Sequence, residues 1–222
     1  NPAESGRGFF LETRAGGGAI FFASYLYAAN GRATWYASSL SGAAGTFAGP
    51  LDAYAGGPTL WGAYQPPALA TGAGGSVKLS FSDANHGVLA WAGGTTPIER
   101  FIFADNSNPP PFQPQRGWWW NPAESGRGFS LEVQGSTVFL SGYMYAADGS
   151  PIWYLSSGSL VDRSYQGNWV EYADGQTLGG PYQPPTEINA AVGAVSIVFT
   201  SPEAGLMTLP DGRQSEIARF TF

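Results

Sequence analysis

The side chains able to do chemistry come in matched sets. Glu4, Arg7 and Glu12 lie near the start of the chain, and Glu124, Arg127 and Glu132 repeat them in its second half. The first two members of each set belong to one nonapeptide, Asn-Pro-Ala-Glu-Ser-Gly-Arg-Gly-Phe, present at residues 1–9 and again at 121–129. Asn-Pro starts a turn and the two Gly permit backbone angles closed to other residues, so Glu and Arg, three apart, can pair across a tight loop. Read structurally, the nonapeptide is a turn with its own ion pair. Read functionally, Glu4, Arg7, Glu124 and Arg127 are candidates for contact with a polar ligand, because functional side chains concentrate on loops held by rigid scaffolds. Glu4 with Glu12, or Glu124 with Glu132, are also the carboxylate pairs that glycoside hydrolysis would need about 5 to 9 Å apart.

Other catalytic chemistries lack parts. Ser5 and Ser125 stand in Glu-Ser-Gly, without the G-x-S-x-G pattern of a nucleophile elbow. His86 is the only histidine, and Ala204 takes its place in the second half, so neither a His-dependent triad in both halves nor a histidine zinc site can form. With no Cys there is no disulfide and no thiolate metal site. Asp148-Gly149, Asp174-Gly175 and Asp211-Gly212 are separate turn dipeptides, not a D-x-D-x-D-G calcium loop. The reading is a protein without catalytic residues, metal or cofactor, with a carboxylate-based glycoside hydrolase as the enzymatic alternative.

The elements that must position these residues are strands. Gly 32, Pro 17, 15% aromatic and only 12% charged residues in 222 describe many short strands and turns, an all-β composition. The recurrence of the nonapeptide divides the chain into residues 1–104, a linker at 105–117 containing Pro109-Pro110-Pro111 and Pro114, and residues 118–222. Each copy is large enough for its own core. In the first, strands are expected at Gly8–Thr13, Ala19–Ala28, Ala33–Leu40, Thr46–Leu51, Leu60–Gln65, Ser76–Ser82, Gly87–Trp91 and Ile98–Phe103. The second copy repeats the clearest of these at Ile152–Ser157, Ala194–Thr200, Gly205–Leu209 and Ile217–Phe222. Asn30-Gly31 and Asp148-Gly149 are hairpin signals at matching places. Seven or eight short strands per copy, without helical periodicity, make two tandem antiparallel meander barrels, with β-sandwiches as the alternative.

Alternation then sorts the side chains. With two-residue turns at Gly135-Ser136 and Asp148-Gly149, one face of the second copy receives Phe129, Leu131, Val133, Val138, Leu140, Met144, Trp153 and Leu155, plainly a core. The opposite face receives Glu132, Tyr143, Tyr145 and Tyr154, and the first copy repeats it as Glu12, Tyr25, Tyr27 and Tyr36. Tyr rings with a hydroxyl rim and an accepting carboxylate suit a sugar face or a peptide surface, which makes these eight residues the candidate ligand site. Cross-strand Tyr pairing, or packing of one copy on the other, is the structural alternative.

The net charge of −6 falls on residues 121–222, where four Arg face ten carboxylates, while residues 1–103 are neutral and Asp105 cancels Arg116. An acidic, lysine-poor chain lacks the basic footprint of a nucleic-acid partner. No apolar run approaches the 18 or so residues of a membrane-spanning helix. The first copy starts inside its motif, without the Trp residues that precede the second, as a processing boundary at residue 1 would give.

Trp118-Trp119-Trp120 before the first strand, with Arg219 on the last, suggest a barrel closure in which the guanidinium lies over an indole; Arg100 is the counterpart in the first copy. In this respect each copy resembles the calycin barrels. Over nearly all of both copies the chain is also similar to a repeat common in secreted or surface proteins of Gram-negative bacteria. The residues that carry it are Trp120-Asn121-Pro122 through Gly128, Tyr145 to Tyr154, and the endings Ile98-Glu99-Arg100-Phe101-Ile102-Phe103 and Ile217-Ala218-Arg219-Phe220-Thr221-Phe222. The resemblance implies an exported, extracellular or periplasmic protein and supplies no catalytic residues. The expected function is a non-catalytic module whose two Tyr-rich faces bind a polysaccharide or a peptide surface, with a structural or adhesin role as the alternative.

Overall fold

A computed structural model describes residues 1–70 and 74–221, and its regular elements are all strands. Those of the first repeat are β1 (Gly8–Thr13), β2 (Ala19–Tyr27), β3 (Ala33–Thr34), β4 (Ala37–Ala43), β5 (Thr46–Pro50), β6 (Ala53–Ala55), β7 (Ala68–Ala70), β8 (Ser76–Phe81), β9 (His86–Trp91) and β10 (Gly94–Glu99). The second repeat supplies β11 (Gly117–Trp120), β12 (Gly128–Gln134), β13 (Thr137–Tyr145), β14 (Pro151–Val161), β15 (Ser164–Ala173), β16 (Thr186–Ser201), β17 (Ala204–Thr208) and β18 (Gln214–Arg219). Leu60–Gln65, expected as a strand, is loop, and Phe222 at the end of the expected last strand lies outside the described residues.

The two repeats do not close alike. β11 to β18 form a closed antiparallel barrel, with β11 pairing both β12 and β18, whereas β1-β2-β4-β5-β8-β9-β10 form an open sheet. Two tandem barrels are thus corrected to one barrel and one open curled sheet. The physical reason is β11: Gly117-Trp118-Trp119-Trp120 bridges first and last strands of its repeat, with Trp119 opposite Phe129 on one side and Arg219 on the other. Among the described residues no strand takes that place between β1 and β10.

A second correction concerns register. Gly135-Ser136 is the expected two-residue turn, since Val133 pairs Val138 and Gln134 pairs Thr137. At the next hairpin Tyr145 pairs Pro151 and Met144 pairs Ile152. The loop there has three residues, closed by Ala146 N–H to Ser150 O at 2.8 Å, with Gly149 at φ 83°. This is the turn-plus-bulge hairpin, and Asn30-Gly31 does the same with Gly31 at φ 82°. One extra residue moves every following side chain to the other face. Trp153 and Leu155 therefore leave the barrel interior, and Tyr154 enters it opposite Gly142. In the first repeat Trp35 and Tyr36 exchange faces likewise.

The interior of the barrel is filled by Phe129, Leu131, Val138, Leu140, Met144, Ile197 and Phe199, and that of the open sheet by Ile20, Phe22, Leu26, Leu40, Val77, Leu79 and Leu89. The residues between repeats are not a free linker. Phe112 packs on Phe199, Arg163 covers the Phe112 ring at 4.5 Å, and Gln115 O accepts the Trp119 indole N–H at 2.9 Å.

Candidate functional site

The outward faces of β1–β4 and of β12–β14 are pressed against each other, and the contact follows an approximate two-fold exchange of equivalent residues. Trp35 Nε1 donates to Met144 O at 2.9 Å, and Trp153 Nε1 to Leu26 O at 3.0 Å. Tyr27 N–H donates to Gln176 O and Tyr145 N–H to Pro58 O, each at 3.2 Å. A Cβ on Gly175 would overlap the Tyr27 ring, and one on Gly57 the Tyr145 ring. Gly31 O accepts from Asp174 N–H at 2.7 Å, and Gly149 O from Gly56 N–H at 2.8 Å.

Six of the eight residues offered to a ligand lie in this contact. Tyr27, Tyr143 and Tyr145 are 1% exposed, and Tyr25 packs on Tyr143 with ring centroids 5.1 Å apart and on Trp153 at 5.6 Å. The Tyr25 hydroxyl hydrogen-bonds Ser130 Oγ at 2.9 Å and donates to Ser141 Oγ at 2.8 Å. The hydroxyls of Tyr27 and Tyr145 are buried without a hydrogen bond among the described residues. Burial raises the phenol pKa of all four, since the charged form would lose its hydration. The other two tyrosines, Tyr36 and Tyr154, turn inward with the register shift; burial, with Glu171 second, pushes Tyr154 up to about 12.

Glu12 and Glu132 reach across to the opposite repeat. Glu12 Oε1 accepts from Arg219, and its Oε2 accepts the Trp118 backbone N–H at 2.8 Å. Arg219 donates further to Arg116 O and Trp118 O, both at 3.0 Å, so its guanidinium is spent on carbonyls and a carboxylate rather than laid over an indole. The equivalent Arg100 stands 3.5 Å from Glu132. Glu132 Oε2 is buried without a hydrogen bond among the described residues, and burial raises its carboxyl pKa against the lowering effect of Arg100 and Arg116.

The nonapeptide loops carry the expected ion pairs, Arg7 with Glu4 and Arg127 with Glu124, the latter at 2.5 Å. Both guanidinium groups are buried, and burial lowers their pKa. Arg7 also donates to Thr96 Oγ1 at 3.0 Å and covers the Trp91 ring at 5.3 Å, while Arg127 donates to Thr59 O of the other repeat at 3.2 Å. Ser5 and Ser125 meet Tyr182 and Tyr64 through their hydroxyls at 3.3 and 3.4 Å. Each of the four carboxylates considered for glycoside hydrolysis thus faces an Arg.

His86 is exposed and 3.0 Å from Asp83, whose carboxyl is held below its ordinary value chiefly by Asn85 N–H. No group of three or more His, Cys, Asp or Glu that could hold a metal occurs among the described residues. Among the described residues no helix is long and apolar enough to cross a membrane. Two shallow depressions, of about 500 and 260 Å³, are lined by Ser159, Asp162 and Gln166, and by Arg100, Arg116 and Gln134; neither includes the Tyr faces.

The cross-repeat partners of Glu12 and Glu132 were not legible from spacing, although the recurrence of Arg before Phe at each repeat's end marks both arginines. Trp35 and Trp153 were missed because the hairpin register hid their face. No protein-family model, curated protein or solved structure matches the chain, so what it can do rests on this geometry.

Proposed function

We propose that this chain is a non-catalytic structural module of an exported protein, in which the repeated Tyr and Glu faces join the two repeats instead of receiving a ligand. The observation that carries this reading is the burial of Tyr25, Tyr27, Tyr143 and Tyr145 between the repeats, in reciprocal contacts that use the same positions from both sides. A surface kept for a soluble partner leaves its aromatic rings accessible; here they touch each other. The four paired carboxylates argue in the same direction, because a hydrolytic pair needs one free acid and one free base or nucleophile.

A binding role is favoured by one separate observation: Trp61, Tyr64 and Tyr182 keep 48, 40 and 42% of their surface exposed on the loops that lead into Gln65-Pro66-Pro67 and Gln183-Pro184-Pro185. Polysaccharide or peptide contact would be made there.

The test is the double substitution Tyr25→Ala with Tyr143→Ala, followed by melting and by a glycan and peptide array. The structural reading expects a loss of several kcal/mol of stability, since a buried aromatic replaced by Ala costs about 3 to 5 kcal/mol each. An unchanged melt with array binding abolished would overturn it in favour of the Tyr-face ligand site.

A further inference from the structure

The two long loops that reach across to the opposite nonapeptide are built alike except at one place. Thr59-Leu60-Trp61-Gly62-Ala63-Tyr64-Gln65-Pro66-Pro67 is matched by Thr177-Leu178-Gly179-Gly180-Pro181-Tyr182-Gln183-Pro184-Pro185. Each turns at its Thr, since Gly62 N–H donates to Thr59 Oγ1 at 2.6 Å and Gly180 N–H to Thr177 O at 3.4 Å. Each lays its second Pro against a nonapeptide glycine: a Cβ on Gly126 would overlap Pro67, and one on Gly6 would overlap Pro185. Leu60, 2% exposed, fills the shared core. The fold does not ask for the indole of Trp61. Gly179 stands at its place in the second loop, which closes without it, and Trp61 keeps 48% of its surface exposed.

The surroundings of that indole are neutral and carry hydroxyls. Its Cζ3 edge lies by Gly193, where a Cβ would stand 3.5 Å from it and would overlap Pro210. Three residues on, the Tyr64 ring is 40% exposed, and its hydroxyl meets the exposed Ser125 Oγ at 3.4 Å. The nearby charges pair among themselves. Arg127, which donates to Thr59 O at 3.2 Å, binds Glu124 at 2.5 Å, and Arg213 stands 3.9 Å from Asp211. Two cations against two carboxylates leave no net charge, so a charged partner gains little there.

We infer that the loop carrying Trp61 and Tyr64 is a subsite for a neutral pyranose of a β-1,4-linked polysaccharide. The indole is a flat apolar platform for the axial C–H face of an equatorially substituted sugar. Because one of the Tyr64 and Ser125 hydroxyls donates to the other, the pair presents one free proton together with free lone pairs. A sugar hydroxyl, both donor and acceptor, satisfies that pair; a proline-rich peptide, which could also stack on the indole, has no N–H to give. The subsite, which rests on reading this loop as a contact surface, leaves the buried Tyr faces in their structural role.

The experiment titrates the intact chain with cellohexaose, with chitohexaose and, separately, with hexaproline, by calorimetry and by saturation transfer from the aromatic protons. One or both glycans should bind saturably with a Kd of about 1 mM or tighter, unchanged from low salt to about 0.5 M salt because no ion pair is made. Trp61→Ala should weaken binding at least about tenfold while the melting temperature stays the same, Trp61→Phe should restore most of it, and Tyr64→Phe should weaken it about threefold. Glycan binding that survives Trp61→Ala, or that fades as salt is added, would overturn the subsite. Saturable hexaproline binding without glycan binding, lost in Trp61→Ala, would overturn the sugar and keep the loop as a contact surface. No saturable binding of any of the three probes would overturn both.

Discussion

Identical side chains do different work here because their neighbours differ. Tyr25 places its hydroxyl between Ser130 and Ser141, but the positions equivalent to those serines in the first repeat are Phe10 and Ala23. Tyr25→Phe should therefore cost about 1 to 2 kcal/mol by leaving the serines unpaired, whereas Tyr27→Phe and Tyr145→Phe, which remove hydroxyls buried without a hydrogen bond among the described residues, should be neutral or stabilising. Chemical denaturation of the three variants measures the contrast, and equal effects would contradict it. Glu132 gives a pH signature. Its folded pKa is raised, so the native state keeps the proton at pH values where the unfolded chain has lost it, and this group's contribution falls as pH rises through that window. Glu132→Gln should equal or exceed the parent in stability at pH 7, with the gain disappearing below about pH 4, where both forms are neutral. A variant less stable at pH 7 than at pH 4, relative to the parent, would show that the Arg100 pairing outweighs burial.

Among the elements, the hairpins decide which rings meet. The bulged loops at Gly31 and Gly149 turn Trp35 and Trp153 toward the other repeat, and Gly57 and Gly175 make room for Tyr145 and Tyr27. Gly175→Ala should destabilise by about 1 to 3 kcal/mol through overpacking against Tyr27, and Gly57→Ala should do the same against Tyr145. The check is a pair of thermal melts with Gly179→Ala alongside: Gly179, like Gly57 and Gly175, does not have a positive φ, and a Cβ there would meet only Gly93 Cα at 3.8 Å, so the additional loss at Gly57 or Gly175 measures the packing term. The existence of these hairpins was legible, since Asn-Gly and Asp-Gly between alternating runs announce a turn. Their length was not, because two- and three-residue loops share that dipeptide, and the choice between them depends on which face finds a partner.

At the scale of the whole molecule, one apolar cluster runs from the interior of the barrel through the Tyr and Trp rings to Phe10, Ala23, Tyr27, Ala33 and Trp35 of the first repeat. A shared core couples the repeats, so the intact chain should melt in a single transition. Residues 1–104 alone, with an open sheet and its Tyr face uncovered, should show no cooperative melt, while 118–222 should fold and expose Tyr143, Tyr145 and Trp153. Two separate transitions for the intact chain, or a cooperative melt of 1–104, would contradict the coupling. Sequence alone determined what repetition, alternation and turn chemistry specify: two copies, an all-β chain, the Glu4–Arg7 and Glu124–Arg127 pairs, and a Tyr–Glu set distinct from the aliphatic core. These are local properties, readable within a few residues. Tertiary structure decided what those faces touch. Glu12 finds Arg219 and Tyr25 finds Ser141 only when the repeats dock, and closure of one repeat but not the other depends on whether a strand lies between its first and last strands, which is a long-range pairing that periodicity does not encode.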